Sequence, residues 1–402
     1  MSAREFDVVV FGATGLAGEH TARALQEMAA PGGSWAGVRW AIAGRSRPKL
    51  HAVVAKRALS PHGVLVADVE DEASLRAMCS ASRLVLNATG PYRFFGEAVV
   101  KACIDAKCDY ADLCGEPEFI DRCLLNYSDA AAAAGVLIVH SCAFDSVPAD
   151  IGTLFTATQF RPPMICAQAD MYHSFNLDSS APTTGASAHA TTFYAAVHGF
   201  GAVTETRKQR KLLEAKLEAE EAGSSLPPPR LGPRLKVATG PTWNKKLRSY
   251  TFLFPGSDAA VVRTSQRILS RLRKSDTGGG GTPFLTPQFG ASICIRSAAW
   301  AAATAVLGVL FQLLANSGPR GRALLLGNPE LFTAGAFSDK GPTGAYIDAY
   351  TLYIYICIYI YICISIHIFN SSESSTKHST QYCKTPQHTT TLWNKLEHIA
   401  TH

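Results

Sequence analysis

Gly12, Gly15 and Gly18 stand three residues apart, directly after the apolar run Phe6–Phe11 and before a helix-like stretch, His20–Met28. Glycines placed in this way can hold the pyrophosphate of a dinucleotide. Gly12 permits a tight turn off a strand, and Gly15 lets backbone N–H groups approach phosphate oxygens with no Cβ between them. Gly18 allows the next helix to pack close, so that its N-terminus faces the phosphates. The triplet carries weight because a strand precedes it and a helix follows it. Gly12, Thr14, Gly15, Leu16, Ala17 and Gly18 are therefore candidate cofactor contacts.

A second group follows the apolar stretch Val38–Ala43, where the chain reads Gly44-Arg45-Ser46-Arg47-Pro48-Lys49. A strand that serves NAD usually ends in a carboxylate, which accepts hydrogen bonds from the ribose hydroxyls and repels an added phosphate. Arg45, Ser46 and Lys49 are donors instead, suited to the extra phosphate of NADP. NADP is the expected cofactor, with NAD as the alternative. Asp68, closing Val64–Val69, is placed to approach the adenine. Asn87, Ala88, Thr89 and Gly90 leave the stretch Arg83–Asn87, where the nicotinamide half is expected.

Hydride chemistry also needs a proton donor or acceptor. Tyr92 and Asp145 are the catalytic candidates, and each has a structural alternative. Tyr92 can simply stack on the cofactor. Asp145, with Val147-Pro148 behind it, can cap the helix that follows. Glu116 and His140 are further candidates, whereas Cys114 and Cys142 read as small buried hydrophobes. No Tyr-x-x-x-Lys pair follows at the place where short-chain dehydrogenases carry it, and no spacing suggests a metal site.

The elements that must position these residues alternate strand with helix. Strands are expected at Phe6–Phe11, Val38–Ala43, Val64–Val69, Arg83–Asn87, Asp109–Leu113 and Val136–Ser141, with helices at Gly96–Ala106 and Asp121–Ala134 among those between them. The pattern predicts an α/β fold: a doubly wound parallel sheet of Rossmann type over residues 1–150, with the ligand beyond the strand C-termini. Residues 151–347 form a second, mixed α/β domain. Met164–Phe175 and Ser187–Val197 read as strand or mixed segments and Ser249–Phe254 as a strand. Within Glu205–Lys236 a charged helix, exposed and open to partner docking, gives way to a proline-rich connector. Asp258–Lys274 reads as a basic amphipathic helix ending at a loop, Gly278–Gly281.

GATGLAG, AGRS, NATGPYRFFGEAVVKAC, DYADLCGE and HSCAFDSVPAD occur in this order, and through them the chain resembles the saccharopine dehydrogenase-like oxidoreductases. It is similar also to the bacterial trans-acting enoyl reductases. The resemblance covers about residues 5–347, and the middle three motifs are more specific than the glycine loop. It implies an NAD(P)-binding Rossmann domain, a mixed second domain that serves substrate or dimerisation, and oxidoreductase activity. It further implies a lipid droplet, mitochondrion or other intracellular membrane as the location. It does not imply lysine catabolism, and no saccharopine-binding residue can be carried over.

Composition narrows the classes. A chain of 402 residues can hold two cores, and its net charge of +6 comes with no basic, aromatic-interleaved stripe for nucleic acid. The first strand starts within six residues of Met1, leaving no room for a cleavable leader, so the protein is expected not to be secreted and its 11 cysteines to be free. From Ser297 to Pro319 the chain has no charge, and Arg296, Arg320 and Arg322 flank it. This segment suits a bilayer or a lipid monolayer, or alternatively a core helix. Residues 348–402 form a low-complexity tail. Its Tyr350–Phe369, YTLYIYICIYIYICISIHIF, is what an (AT)n repeat encodes when translated, with Cys and His one base away. The tail therefore reads as aberrant translation into a microsatellite. Two functions fit: an NADP-dependent reductase of a lipid-like small molecule at a membrane or droplet, with a homodimer allowed, and an inactive NADP(H)-binding scaffold on such a surface.

Overall fold

The computed structural model describes residues 4–144, 146–160, 164–174, 188–221, 231–235, 240–276, 286–333, 337–338 and 368–369. Asp145, the Gly278–Gly281 loop and all of the tail but Ile368–Phe369 lie outside the described residues.

The first half alternates strand and helix without exception. In order these are β1 (Phe6–Phe11), α1 (Leu16–Ala29), β2 (Trp40–Gly44), α2 (Arg47–Arg57), β3 (Gly63–Val66) and α3 (Glu72–Ala81). Then follow β4 (Ser82–Asn87), α4 (Tyr92–Ala106), β5 (Asp109–Asp112), α5 (Pro117–Ala134) and β6 (Ile138–Val139). The six strands pair in parallel in the order β3-β2-β1-β4-β5-β6. β1 reads FDVVVF because both its faces are covered, and only Asp7 in it is less than buried. Val9 and Phe11 pack toward Leu75, Val99, Val100 and Phe119, while Val8 and Val10 pack toward Ala22, Leu25, Leu50 and Val53. Helix starts are set locally: Asp71 Oδ1 accepts from the Ala73 and Ser74 amides at 3.0 and 3.2 Å to cap α3. β6 is shorter than the stretch Val136–Ser141, since pairing with β5 stops at Val139 and the chain turns across the sheet end.

α6 (Val147–Thr158) leads into the second half, which contains β7 (Ile165–Cys166), β8 (Gln168–Ser174), β9 (Ala188–His189), α7 (Ala190–Gly201) and α8 (Val203–Glu221). It continues with β10 (Thr242–Asn244), β11 (Ser249–Leu253), α9 (Asp258–Asp276), β12 (Gln288–Ile295) and α10 (Ala298–Asn316). α11 (Pro319–Gly327), α12 (Pro329–Phe332), β13 (Phe337–Ser338) and β14 (Ile368–Phe369) complete it. A mixed sheet runs β10-β11-β12-β8, with β8 parallel to β12 and the other pairs antiparallel. Ala149, Met171 and Val262 join α6, β8 and α9 in one cluster.

Two segments gain detail that their sequence-based expectation lacked. Ser187–Val197 turns into helix at Ala190, where Phe193 and Val197 gain a core with Ala315 and Leu325. α8 is exposed over much of its length, as its composition suggests, but it also docks within the chain. It packs on α5, with Leu213 buried, Arg210 Nε donating to Asp121 Oδ2 at 2.7 Å and Lys216 Nζ to Asp129 Oδ2 at 2.8 Å. Two of its cations, Arg210 and Lys216, thus find their partners on α5. Burial raises the Asp121 pKa despite the Arg210 guanidinium.

α10 decides one open alternative. Its mean hydropathy is 1.9, yet Ala301 and Ala315 are its only buried residues. Trp300 is 69% exposed, Val306 68% and Leu313 64%. A core helix it is not.

Candidate nucleotide site

In the parallel sheet the chain moves outward from β1 through β2 to β3, then returns to start again at β4 on the other side. Ligands of such sheets bind where the order reverses, beyond the strand C-termini. The loops after β1 and β4 meet there. Gly12 sits at φ 84°, and a Cβ on it would stand 2.8 Å from Thr89 Oγ1 and 3.0 Å from the Ala88 carbonyl carbon. A Cβ on Gly18 would collide with the Gly12 carbonyl oxygen. Those two close approaches bring the start of α1 against the turn. Gly15 precedes that helix with no side-chain cap, and Thr14, Gly15 and Ala17 are exposed. The amides of the first turn are thus left for an anion.

The donors after β2 are also unengaged. Arg45, Arg47 and Lys49 are exposed, and no ion pair holds them among the described residues. Ser46 precedes α2, and its Oγ accepts from the Lys49 amide at 3.5 Å. Asp68 lies just beyond β3, where its Oδ1 accepts from the Glu70 amide at 3.2 Å. After β4, Asn87 Oδ1 accepts from the Thr89 amide at 3.0 Å, which bends the Asn87–Gly90 loop over the crevice. Thr89 Oγ1 is buried with no hydrogen-bond partner among the described residues. Uncapped first-turn amides, an orphaned hydroxyl at the strand crossover and free cations in place of a carboxylate after β2 all fit a phosphorylated dinucleotide.

Tyr92 and Glu116 are brought to this end of the sheet, but their polar atoms are engaged there. The Tyr92 hydroxyl donates to the Asn87 carbonyl at 2.9 Å and accepts from the Leu113 amide at 3.3 Å, between the ends of β4 and β5. Burial, then the Asp112 carboxylate, pushes its pKa well above the ordinary tyrosine value. Glu116 accepts from the Tyr92 amide at 2.7 Å, and so caps α4 from a neighbouring loop. Arg93 bridges it to Glu118, at 3.3 and 2.8 Å.

Asp112, to which the sequence alone assigns no role, organises this end of the sheet. Its Oδ1 accepts from the Cys114 and Ser141 amides at 3.0 and 2.9 Å. Its Oδ2 accepts from the Tyr110 hydroxyl at 2.9 Å and meets His140 Nδ1 at 2.6 Å. Asn87 Nδ2 donates to the Tyr110 hydroxyl at 3.1 Å, so one hydrogen-bonded chain runs from the Thr89 loop to His140. Tyr110 and Asp112 stand two apart on one strand face, the signal that could have found them. Cys114 is buried, but Cys142 is exposed and so is not a buried hydrophobe.

The second half roofs the crossover. Thr191 Cγ2 lies 3.7 Å from where a Cβ on Gly90 would be, and His198 meets the Phe94 ring edge-on at 4.9 Å. Burial, followed by Arg93 and Arg322, lowers the His198 pKa. The opposite side of α7 packs on α10, where Phe193 and Phe200 touch Phe311 at 5.7 and 5.4 Å.

Residues 8–139 match the profile of the saccharopine dehydrogenase NADP binding domain. A human saccharopine dehydrogenase-like oxidoreductase is 35% identical over 356 residues, which span 86% of this chain and 76% of the human one. The chain belongs to the saccharopine dehydrogenase-like oxidoreductase family. Its first half is accordingly an NADP-binding domain. Within reach of this family lies a Caenorhabditis elegans protein named for its lipid droplet location, 33% identical over 65% of this chain and 59% of its own. A Mycobacterium tuberculosis protein that bears the name of a trans-acting enoyl reductase is 30% identical, over 71% of this chain and 67% of its own.

Proposed function

We propose that the protein is an NADPH-dependent reductase of a lipid-like carbonyl or enoyl compound, working at a lipid droplet or membrane surface. The observation that carries this reading is the joint placement of α7 and α10. One helix covers the Gly90 loop at the crossover, and the other presents an uncharged, exposed apolar surface. The names of the nematode and mycobacterial relatives point the same way.

The first-turn amides of α1 hold the pyrophosphate, and Arg45, Ser46 and Lys49 hold the 2′-phosphate. Asp68 faces the adenosine half, and Asn87, Ala88, Thr89 and Gly90 face the nicotinamide half. Bound NADPH supplies a hydride. α7 excludes water above the loop, which strengthens polar interactions beneath it. Tyr92 acts as a positioning residue that ties β4 to β5.

α10 meets lipid lying along the surface. At 1.5 Å per residue its 19 residues extend about 28 Å, near the thickness of a hydrocarbon core. Yet its packing on α7 holds one side to the protein, which favours contact with one leaflet over a crossing. Each large exposed side chain moved into lipid contributes about 1.5–3 kcal/mol. Arg296 and Arg320, exposed at its two ends, suit anionic head groups.

The test uses the full chain with vesicles of phosphatidylcholine and phosphatidylserine. The parent is expected to float with the vesicles and to oxidise NADPH when they carry trans-2-decenal. Val306→Asp with Leu313→Asp is expected to abolish flotation while NADPH binding stays unchanged. A parent that floats and binds NADPH but reduces no carbonyl or enoyl probe would instead support the scaffold.

A further inference from the structure

Beyond the end of β6 the second half places a histidine and a carboxylate that none of these roles uses. His173 lies on β8 and Asp258 opens α9, and His173 Nε2 stands 3.0 Å from Asp258 Oδ2. Both residues are 1% exposed. Phe254 stacks on the imidazole at 4.1 Å between centroids, and Phe144 meets it edge-on at 6.1 Å. A buried pair kept for stability alone is expected to satisfy its remaining polar atoms, because an unpaired one is costly in a low dielectric. Here His173 Nδ1 and Asp258 Oδ1 are both sealed from solvent, and neither has a hydrogen-bond partner among the described residues.

The pair adjoins the ligand edge of the parallel sheet. Phe144 belongs to the loop that leaves β6, and two amides of that loop, Ser141 and Cys142, donate to Asp112. Asp112 is in register with Asn87 at the crossover. In the same loop Ser146 holds a φ of 141°, which a residue with a Cβ seldom adopts. Its hydroxyl lies 2.7 Å from that of Ser257, the residue before Asp258, and both serines are wholly buried. The starts of α6 and α9 therefore converge beside the pair. Strain of this kind persists where surroundings over-determine it, and it gathers at sites of chemistry.

We propose that His173 delivers the proton in the reduction described above, with Asp258 holding its ring; this rests on the reductase reading. The carboxylate fixes Nε2 as the nitrogen turned toward Asp258, which leaves Nδ1 for the substrate. The substrate is an apolar chain ending in a carbonyl or an α,β-unsaturated carbonyl group. One atom of its double bond gains a hydride from NADPH, which is thereby oxidised to NADP+. At the other atom the π-electron pair takes the Nδ1 proton of the His173 imidazolium, which Asp258 pairs through Nε2: that N–H bond breaks as a C–H or O–H bond forms, and the Nε2–H stays on the ring. The neutral imidazole, closed to solvent in the resting fold, then recovers a proton from water admitted as the product leaves.

Full-length His173→Gln and Asp258→Asn variants test this with trans-2-decenal in phosphatidylcholine vesicles. Both are expected to bind NADPH as the parent does. Turnover is expected to fall at least ~100-fold in the first and about tenfold in the second. Unchanged turnover overturns the proposal. So does a joint loss of turnover, NADPH binding and melting temperature in His173→Gln, which marks a structural pair. A parent inactive on this probe fails the reductase reading by itself, and His173 is then judged by 15N-imidazole NMR. Adding 2-decanone to the NADP+ complex is expected to shift the His173 Nδ1 resonance, and a resonance that stays in place overturns the site.

Discussion

Two buried carboxylate–imidazole pairs, one in each half, are built on opposite principles. Asp112 accepts from Tyr110, Cys114 and Ser141 and meets His140, so both its oxygens are occupied. Asp258 meets His173 through one oxygen, and an atom on each partner is left over. A fully satisfied carboxylate ties strand ends together and has little capacity left for chemistry. A half-satisfied pair costs stability and keeps that capacity. The difference separates the scaffold of the nucleotide site from the place where a substrate can be met.

The largest effect expected from this contrast is on folding. Asp112→Asn presents an amide to donors that need an acceptor, and should destabilise the protein by about 3–5 kcal/mol in urea unfolding. Asp258→Asn should cost nearer ~1 kcal/mol, since one of its oxygens already lacks a partner. Equal losses would erase the distinction between the pairs.

A smaller effect is expected on cofactor binding. Arg45→Ala should weaken NADPH by roughly tenfold, the equivalent of about 1.4 kcal/mol, and leave NADH unchanged. Fluorescence titration reads both. An equal loss for the two cofactors would mean that Arg45 does not read the 2′-phosphate. Gly12→Ala should weaken both together, because a Cβ there meets Thr89 and Ala88.

The smallest effect is a pH dependence carried by two other histidines. Burial lowers the pKa of His198 below its ordinary 6.5 and does the same for His20. The unfolded chain takes up these protons first as pH falls, so stability is full above about pH 6.5 and declines below it, toward the lowered folded values. His198→Asn should flatten part of that decline in melting temperatures taken between about pH 7 and 5. An unaltered slope would place the acid sensitivity elsewhere.

Much of the first half was legible because its signals are local. The Gly12–Gly18 spacing, the run FDVVVF and the basic turn at Arg45 each lie within a few residues, and steric rules act at that range. Asp112 was harder to see, since its importance comes from amides of two loops, although its alternation with Tyr110 left a trace. His173 and Asp258 are 85 residues apart, and no periodicity joins them. The polar atoms of Tyr92 and Glu116 pointed to chemistry by type, yet the fold engages them in backbone hydrogen bonds. Asp145 lies outside the described residues and keeps both of its readings.

By itself the sequence determined the strand–helix alternation, the glycine turn and a cation-rich end to β2, because φ/ψ limits and burial periodicity are properties of neighbouring residues. Only the tertiary structure decided what each long-range group does. α8 became a packed helix because α5 supplied its counter-charges. α10 stayed exposed because, among the described residues, α7 and α11 cover just one side of it. Hydropathy counts apolar atoms but does not say whether protein, lipid or water lies against them, and that is settled by which surfaces the fold brings together.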